Sequence, residues 1–484
     1  MPPPPNLCFP FLFLLLTATI STKVQALGVS WGTTASHPLP PRKVVELLKS
    51  NNITKVRLFD SDPLVLEALS GSNIGVTVGI PNSMLKTLNS SKKAAESWVH
   101  DNVTRFFSTA RTGARIEYRN VAVGDEPFHQ MYGEQFHSVV IGAVINVQSA
   151  LAKASLGSEI KVVVPLSSDS IQSESGLPSK AHFRPDLNKT MLELLTFLDK
   201  HHSPFFVTIS PFLSFLQDKN VSLDFALFKE TARPRNDTHS RTYRNSFDLT
   251  HDNAVAALSA AGFPGMPIVV ARVGWPTDGA ANASSQTAEI FMKALMQRLH
   301  AKSGTALRPQ NPPSEIFIFS LFDENQRSIA SGGFERHWGV FTFDGQAKYR
   351  IDFGQGSSKD LVNAQEVDYL PSKWCVVDNN KDVSNASARV LDACSAADCS
   401  ALSPGGSCSN LSWPGNASYA FNNYYQQHDQ ARDSCDFGGL GLITTVDPSI
   451  GSCRFWIELD TSEAGSHSRV CLFWLLILLI TVLV

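Results

Sequence analysis

Eight short apolar runs, each leading through a polar loop into a helical stretch, set the tightest limit on what this chain can fold into. They are LGVSW from Leu27, KVRLF from Lys55, GVTVGI from Gly75, NVAVGDE from Asn120, IKVVVPL from Ile160, PFFVTIS from Pro204, PIVVARV from Pro267 and EIFIFSLF from Glu315. They are apolar nearly throughout rather than alternating, as strands covered on both faces must be. Helical segments lie between them, among them PRKVVELLKS, in which Pro41 is preset for a first turn, and SSQTAEIFMKALMQRLHA. Eight strands alternating with helices over residues 27–355 predict an α/β fold, a (β/α)8 barrel with its site at the carboxyl ends of the strands. A doubly wound open sheet is the competitor, but no glycine-rich phosphate loop follows the first strand.

The cysteines mark a second unit. None lies between Cys8 and Cys375, and then Cys375, Cys394, Cys399, Cys408, Cys435 and Cys453 fall close together. Six thiols in a small secreted module imply three disulfides, whose connectivity the spacing leaves open. They form no paired C-x-x-C sets, so zinc is the weaker reading, and no His/Asp/Glu cluster has metal-ligand spacing. No metal and no cofactor are expected. His201 and His202 follow a helical run and read as a solvated helix end. The organisation predicted is a barrel over 27–355, a linker over 356–372 and a disulfide-stapled module over 373–456.

Both ends carry addresses. CFPFLFLLLTATI, from Cys8, followed by VQA, reads as a signal peptide over residues 1–26. VCLFWLLILLITVLV, residues 470–484, is short for a membrane span, which needs about 20 residues. With the small and polar spacer over 457–469 before it, the tail fits a glycosylphosphatidylinositol signal, with attachment within Asp460–Ser466; a tail-anchored span is the alternative. Ten sequons agree with a secretory route: Asn52, Asn89, Asn102, Asn188, Asn220, Asn236, Asn282, Asn385, Asn410 and Asn416. A net charge of −3, without any basic run, argues against nucleic acid as a partner. The expectation is a monomer on the cell surface, tethered to the outer leaflet of the plasma membrane.

The fourth run ends in AVGDEPF, which puts Asp125 and Glu126 at the rim of a barrel. A carboxyl at the end of a buried strand is costly unless it has a task, so Glu126 is a general-acid candidate. The bland alternative is a salt-bridged rim carboxylate. The seventh run ends in ARVGWPTDG, with Arg272 at the matching place.

Over residues 27–355 the motifs VGDEPF, VGWPTDG and FSLFDENQR…ERHWGVF, with LGVSWGTTASHPLPPRKVVELLKSNNITKVRLFDSD, resemble plant glycoside hydrolase family 17, the endo-1,3-β-glucanases. The resemblance implies a (β/α)8 barrel that hydrolyses β-1,3-glucans such as callose with retention of configuration. It places the acid/base glutamate on Glu126, after an Asn that is Asp125 here. It places the nucleophilic glutamate on Arg272. A retaining glycosidase needs two carboxyls about 5–5.5 Å apart, one to protonate the leaving oxygen and one to attack the anomeric carbon. A guanidinium forms no glycosyl ester, and its charge opposes the oxocarbenium-like transition state. Hydrolysis is therefore expected to be impaired, with a non-catalytic glucan-binding protein as the alternative.

The same resemblance makes Trp275, Phe322, Glu324 and Trp338 sugar-site residues, with Arg327 in a usually basic position. Glu324, as a stand-in nucleophile, comes from the eighth strand, where its reach is in question. Thr208, Ser210 and Phe212 stand where the family has an Asn and two Tyr. Residues 373–456, through the six Cys, SYAFNNYYQ and CDFGG, resemble the plant cysteine-rich carbohydrate-binding module of family 43, the X8 domain, which binds β-1,3-glucan. That resemblance implies the pairs Cys375–Cys435, Cys394–Cys399 and Cys408–Cys453. Sugar rings stack on exposed aromatics, for which Trp413, Tyr419 and Tyr425 are the candidates. Phe421, Tyr424 and Tyr425 also have the i, i+3, i+4 spacing of a helix core, so the aromatics divide between core and ligand.

Overall fold

The computed structural model describes residues 26–107, 115–313, 315–353, 360–381 and 386–461. The eight runs form β1 (Ala26–Trp31), β2 (Lys55–Leu58), β3 (Gly75–Ile80), β4 (Glu117–Val123), β5 (Lys161–Val163, continued by Pro165–Leu166), β6 (Phe205–Thr208), β7 (Ile268–Val273) and β8 (Glu315–Ile318). Every ladder among them is parallel. The order runs β5-β4-β3-β2-β1-β8-β7-β6, and β6 then pairs with the second half of β5, Pro165 opposite Phe206. The sheet thus returns on itself as a barrel, and the open-sheet alternative falls.

Periodicity explains the outer layer. In α1 (Pro41–Ser50), Val44, Val45, Leu47 and Leu48 are buried while Lys49 ends the helix. In the helix Ser285–His300, Ala288, Phe291, Met292, Leu295, Met296 and Leu299 make one inward stripe, and the Ser284 side chain caps the start by accepting from the Thr287 amide. Inside the sheet, Ala122, Val163, Phe206, Val269, Ala271 and Phe317 form a separate apolar cluster. It is built from β4 to β8, as the filled interior of such a barrel requires.

In the small unit, β9 (Trp374–Val377) pairs antiparallel with β10 (Gly441–Thr444). The helix Gly415–Gln427 packs against β9, burying Ala417, Ala420, Phe421 and Tyr425. The disulfides are Cys375–Cys435, Cys394–Cys399 and Cys408–Cys453, the pairs that the resemblance implies.

Two stretches read as linker and spacer are built into the fold. Leu361 and Ala364 are buried against the barrel, Tyr369 Oη donates to Asp344 Oδ2 at 2.8 Å, and Asn51 bonds the Val362 backbone in both directions. Glu458 and Leu459, expected in the spacer, are buried, and Leu370 N donates to Glu458 O at 3.0 Å. A segment lying between two domains meets backbone and side-chain partners on both sides.

The module is therefore docked on the barrel rim. Arg336 pairs with Asp398 at 3.0 Å, His337 Nε2 lies 2.7 Å from Ser400 Oγ, and Ser407 N donates to Asp278 Oδ1 at 2.7 Å. Asn325 Nδ2 donates to Glu458 Oε1 at 2.9 Å, and His37 Nε2 lies 3.0 Å from Asp429 Oδ1. Gly405 shows how close the two come: a Cβ there would fall 2.5 Å from Ala281 N.

The signal segment up to residue 25, the attachment window beyond Thr461 and the apolar tail lie outside the described residues, as does Asn385. Among the described residues no helix is long and apolar enough to cross a membrane. Asn52, Asn188, Asn220, Asn236, Asn282, Asn410 and Asn416 are exposed, while Asn89 and Asn102 are half-buried.

Burial raises the Glu458 carboxyl to about 8, against opposing hydrogen bonds from Ser36 and Asn325. A carboxyl raised on folding stabilises fully below its unfolded value, about 4.3, and that contribution is lost as pH rises through the folded value. Stability in urea should therefore fall between about pH 4.5 and 8, by up to about 4 kcal/mol. In Glu458→Gln that slope should flatten; an unchanged slope would remove Glu458 as its source.

Candidate functional site

The rim of β4 is shaped by its backbone. Gly124 has φ 79°, and a Cβ there would fall 2.9 Å from Asn82 Oδ1. Asn82 clamps the next residue, accepting from Asp125 N and donating to Asp125 O, both at 2.9 Å. Glu126 itself lies at φ 49°, a left-handed conformation costing a non-glycine residue about 1 kcal/mol, while its amide donates to Pro165 O at 3.1 Å. The turn aims both carboxyls across the mouth.

Arg272 faces them. Its ladder is irregular where it sits: β7 shifts register between Val270 and Arg272 against β6, and between Val270 and Val273 against β8. Such shifts re-aim side chains at barrel rims. Arg272 Nη2 donates to Asp125 Oδ2, and its Nη1 lies 3.7 Å from Glu126 Oε2. Arg57, from β2, donates through Nη2 to Asp125 Oδ1 at 2.7 Å. Asp125 thus bridges two guanidiniums, and the Thr208 hydroxyl donates to Glu126 Oε1. The Arg272 guanidinium also lies 4.9 Å from the ring centres of Phe59 and of Phe319.

The charges in this cluster hold one another. Burial opposes the Arg272 charge, but Asp125 and then Glu126 outweigh it and raise its pKa. For Arg57 burial prevails, with the neighbouring Arg272 charge adding to it, and lowers the pKa to about 10 against the pull of Asp125. Burial would raise Asp125, yet Arg272, Arg57 and Arg327 hold it well below the usual carboxylate range.

Asp125, Glu126, Thr208 and Arg272 line a cleft of about 310 Å³, together with Ser210, Phe319, Trp338, Arg327 and Glu335. Asp125, Glu126, Arg272 and Trp338 are thus brought together. Three other expected residues are not in it. Trp275 is fully buried among Phe212, Phe215 and Phe291, and its Nε1 donates to Asn282 O at 2.9 Å, so it is core rather than a sugar platform. Phe322 is buried against Phe341. Glu324 lies beneath the rim, accepting from Thr34 N at 3.0 Å and pairing with Arg327 at 3.4 Å, which makes it a support and removes it as a stand-in nucleophile. Phe212, at a family Tyr position, packs edge-on to Trp275, Phe334 and Trp338.

In the module, Tyr419 and Tyr425 are 4% and 1% exposed, so both are core, whereas Trp413 is 45% exposed. Tyr425 shares with Phe421 the face turned to β9, while Tyr419 packs in a second cluster with Trp374, Cys408, Cys453 and Phe455. Sequence reading missed Arg57, Asn82 and Glu335. Arg57 had a signal, a charge inside the apolar run KVRLF; Asn82 and Glu335 sit in loops whose approach only the closed barrel defines.

Replacing Asp125 with Asn should leave two buried guanidiniums facing each other. A loss of about 2–4 kcal/mol in urea unfolding is expected, at the lower end because Asp125 is partly exposed. Asp125→Asn combined with Arg272→Met should recover most of it. If Asp125→Asn alone costs nothing, the bridging role is wrong.

The comparisons with known proteins agree with this architecture. A family model described as glycosyl hydrolases family 17 matches residues 27–353, and one described as the X8 domain matches residues 373–442. The Arabidopsis thaliana protein glucan endo-1,3-beta-glucosidase 9 is 64% identical over 463 residues, covering 94% of this chain and 95% of that protein. Glucan endo-1,3-beta-glucosidase 5 of Arabidopsis thaliana is 42% identical over 462 residues, with 95% and 94% covered. Among solved structures, CJP38, a β-1,3-glucanase and allergen of Cryptomeria japonica pollen, is 33% identical at a TM-score of 0.62. It covers 68% of this chain and 100% of its own.

Proposed function

This chain belongs to glycosyl hydrolases family 17 and carries an X8 domain, and on that premise we propose that it acts on β-1,3-glucan at the cell surface. It is of the glucan endo-1,3-β-glucosidase type, with hydrolysis through the family's second carboxyl impaired. One observation carries that qualification: a guanidinium, not a carboxylate, lies opposite Glu126 and is held there by Asp125.

The chemistry follows from the charges. In retaining hydrolysis the acid protonates the glycosidic oxygen while a carboxylate about 5–5.5 Å away attacks the anomeric carbon. Here Glu126 keeps its place at the end of β4, but Arg272 offers no lone pair for attack and puts a positive charge beside the developing oxocarbenium ion. The second reading, a glucan-binding protein without turnover, is favoured by the engagement of both Arg272 η nitrogens with the two carboxylates expected to serve the sugar.

The remaining features bear on where the protein acts. The apolar leader and the short apolar tail support secretion and a lipid anchor in the outer leaflet, and the exposed sequons support glycosylation. The barrel and module on one chain support action as a monomer. Cleft and module would both face the wall polysaccharide.

The test is reducing-end release from a soluble β-1,3-glucan, with binding measured in parallel. Wild type should bind with little or no turnover. Arg272→Glu alone crowds three carboxylates around Arg57 and should gain little. Asp125→Asn with Arg272→Glu restores the uncharged neighbour as well, and should release reducing ends at least about tenfold faster than wild type, a barrier change of roughly 1.4 kcal/mol. Turnover in wild type that neither variant alters would assign the attack to another group.

A further inference from the structure

Two of the three aromatics expected as the module's platform are covered. Tyr419 and Tyr425 are core, and the large module aromatics left exposed are Trp413 and Trp456, at 45% and 43%. Trp413 precedes the helix Gly415–Gln427 and has no ring partner among the described contacts. Trp456 stands at the junction, edge-on to the barrel's Phe343 with ring centres 5.9 Å apart. Trp456 and Phe343, but not Trp413, line a groove of about 570 Å³ between barrel and module, within the size range of ligand sites and at the kind of place, a domain boundary, where they concentrate.

The groove's walls suit a neutral, hydroxyl-rich ligand. Amide side chains come from the barrel, Asn325 and Gln346, and from the module, Gln427. Its charges are largely matched in place: Lys348 with Asp323 and Arg336 with Asp398. A ligand there meets hydrogen-bonding groups and an aromatic face rather than a net charge, the combination that sugar rings use.

The groove is separate from the cleft and shares one wall with it. Along the segment 334–338, Phe334, Glu335 and Trp338 line the cleft, while Arg336 and His337 line the groove. The two sites stand back to back across a single strip of chain. We propose that this groove, with Trp456 as its platform, is a second binding site for β-linked glucan, made jointly by barrel and module. The ligand class rests on the proposed function; the location does not.

The test is calorimetric titration of the secreted full chain with a soluble β-1,3-linked glucose hexasaccharide. Trp456→Ala, from the module side, and Phe343→Ala, from the barrel side, should each weaken the junction site about tenfold or more, as truncating a central aromatic does. Trp456→Phe should keep most of the affinity. None of these changes touches the bond from Asn422 Nδ2 to the Trp456 carbonyl, and a thermal melt checks that each variant is folded. Ser331→Trp, which obstructs the exposed lip of the cleft, should leave the junction site intact. If Trp456→Ala and Phe343→Ala titrate like wild type, the groove is not a site, although glucan binding stands. If Trp456→Ala misfolds, Phe343→Ala and Trp456→Phe decide. If wild type binds no glucan, the glucan reading itself falls.

Discussion

Two guanidiniums share one carboxylate at the mouth of this barrel, and the rest of the site is arranged around that fact. Arg57 is buried in the sheet interior, where an unpaired charge would be prohibitive, and Asp125 is what makes it tolerable. The same carboxylate reaches across to Arg272, so β2, β4 and β7 are tied at their carboxyl ends by a single residue. Against the family pattern that the sequence resembles, Asp125 and Arg272 read as two departures. Physically they are one, because either alone leaves an uncompensated buried charge. A cation brought to position 272 beside a neutral Asn would face Arg57 with nothing between them, and an Asp beside the family's Glu would be a third carboxylate in one mouth.

The scaffold cooperates with this exchange. The register shift in β7 and the left-handed turn at Gly124 to Glu126 aim the side chains at one another. Phe59 and Phe319 flank the Arg272 guanidinium, as Phe319 flanks that of Arg327, so the cations lie against rings rather than water. On the proposed reading, the frame is kept while the charge facing Glu126 changes sign.

What was legible in the sequence follows from how residue types constrain position. Buried parallel strands must be apolar throughout, so all eight could be read, and with them the rim positions of Glu126 and Arg272. Aromatic residues carry no such constraint. Trp275, Phe322, Tyr419 and Tyr425 have both an apolar body and, in three of them, a polar tip, and only packing decides whether the face is covered. The tip of Trp275 is satisfied by a backbone carbonyl in its own loop, which no spacing rule reports. How the linker packs was out of reach for a related reason: composition describes how a segment would behave alone, and residues 360–372 lie against two surfaces.

The docking of the module fixes how the cleft and the junction groove stand to one another. A domain on a free linker adds affinity only through its effective concentration, which falls with linker length. Here the module is fixed by ion pairs and hydrogen bonds from Asp278, Asn325, Arg336 and His337, so the cleft and the junction groove keep one relative placement. With Glu335 on one side of the strip between them and Arg336 on the other, a shift that opens one site must move the wall of the other. Rigid spacing favours ligands long and shaped to meet both surfaces and gives nothing to short ones. If both sites bind glucan as proposed, a polymer is a better match than an oligosaccharide, and that preference needs no turnover at Arg272.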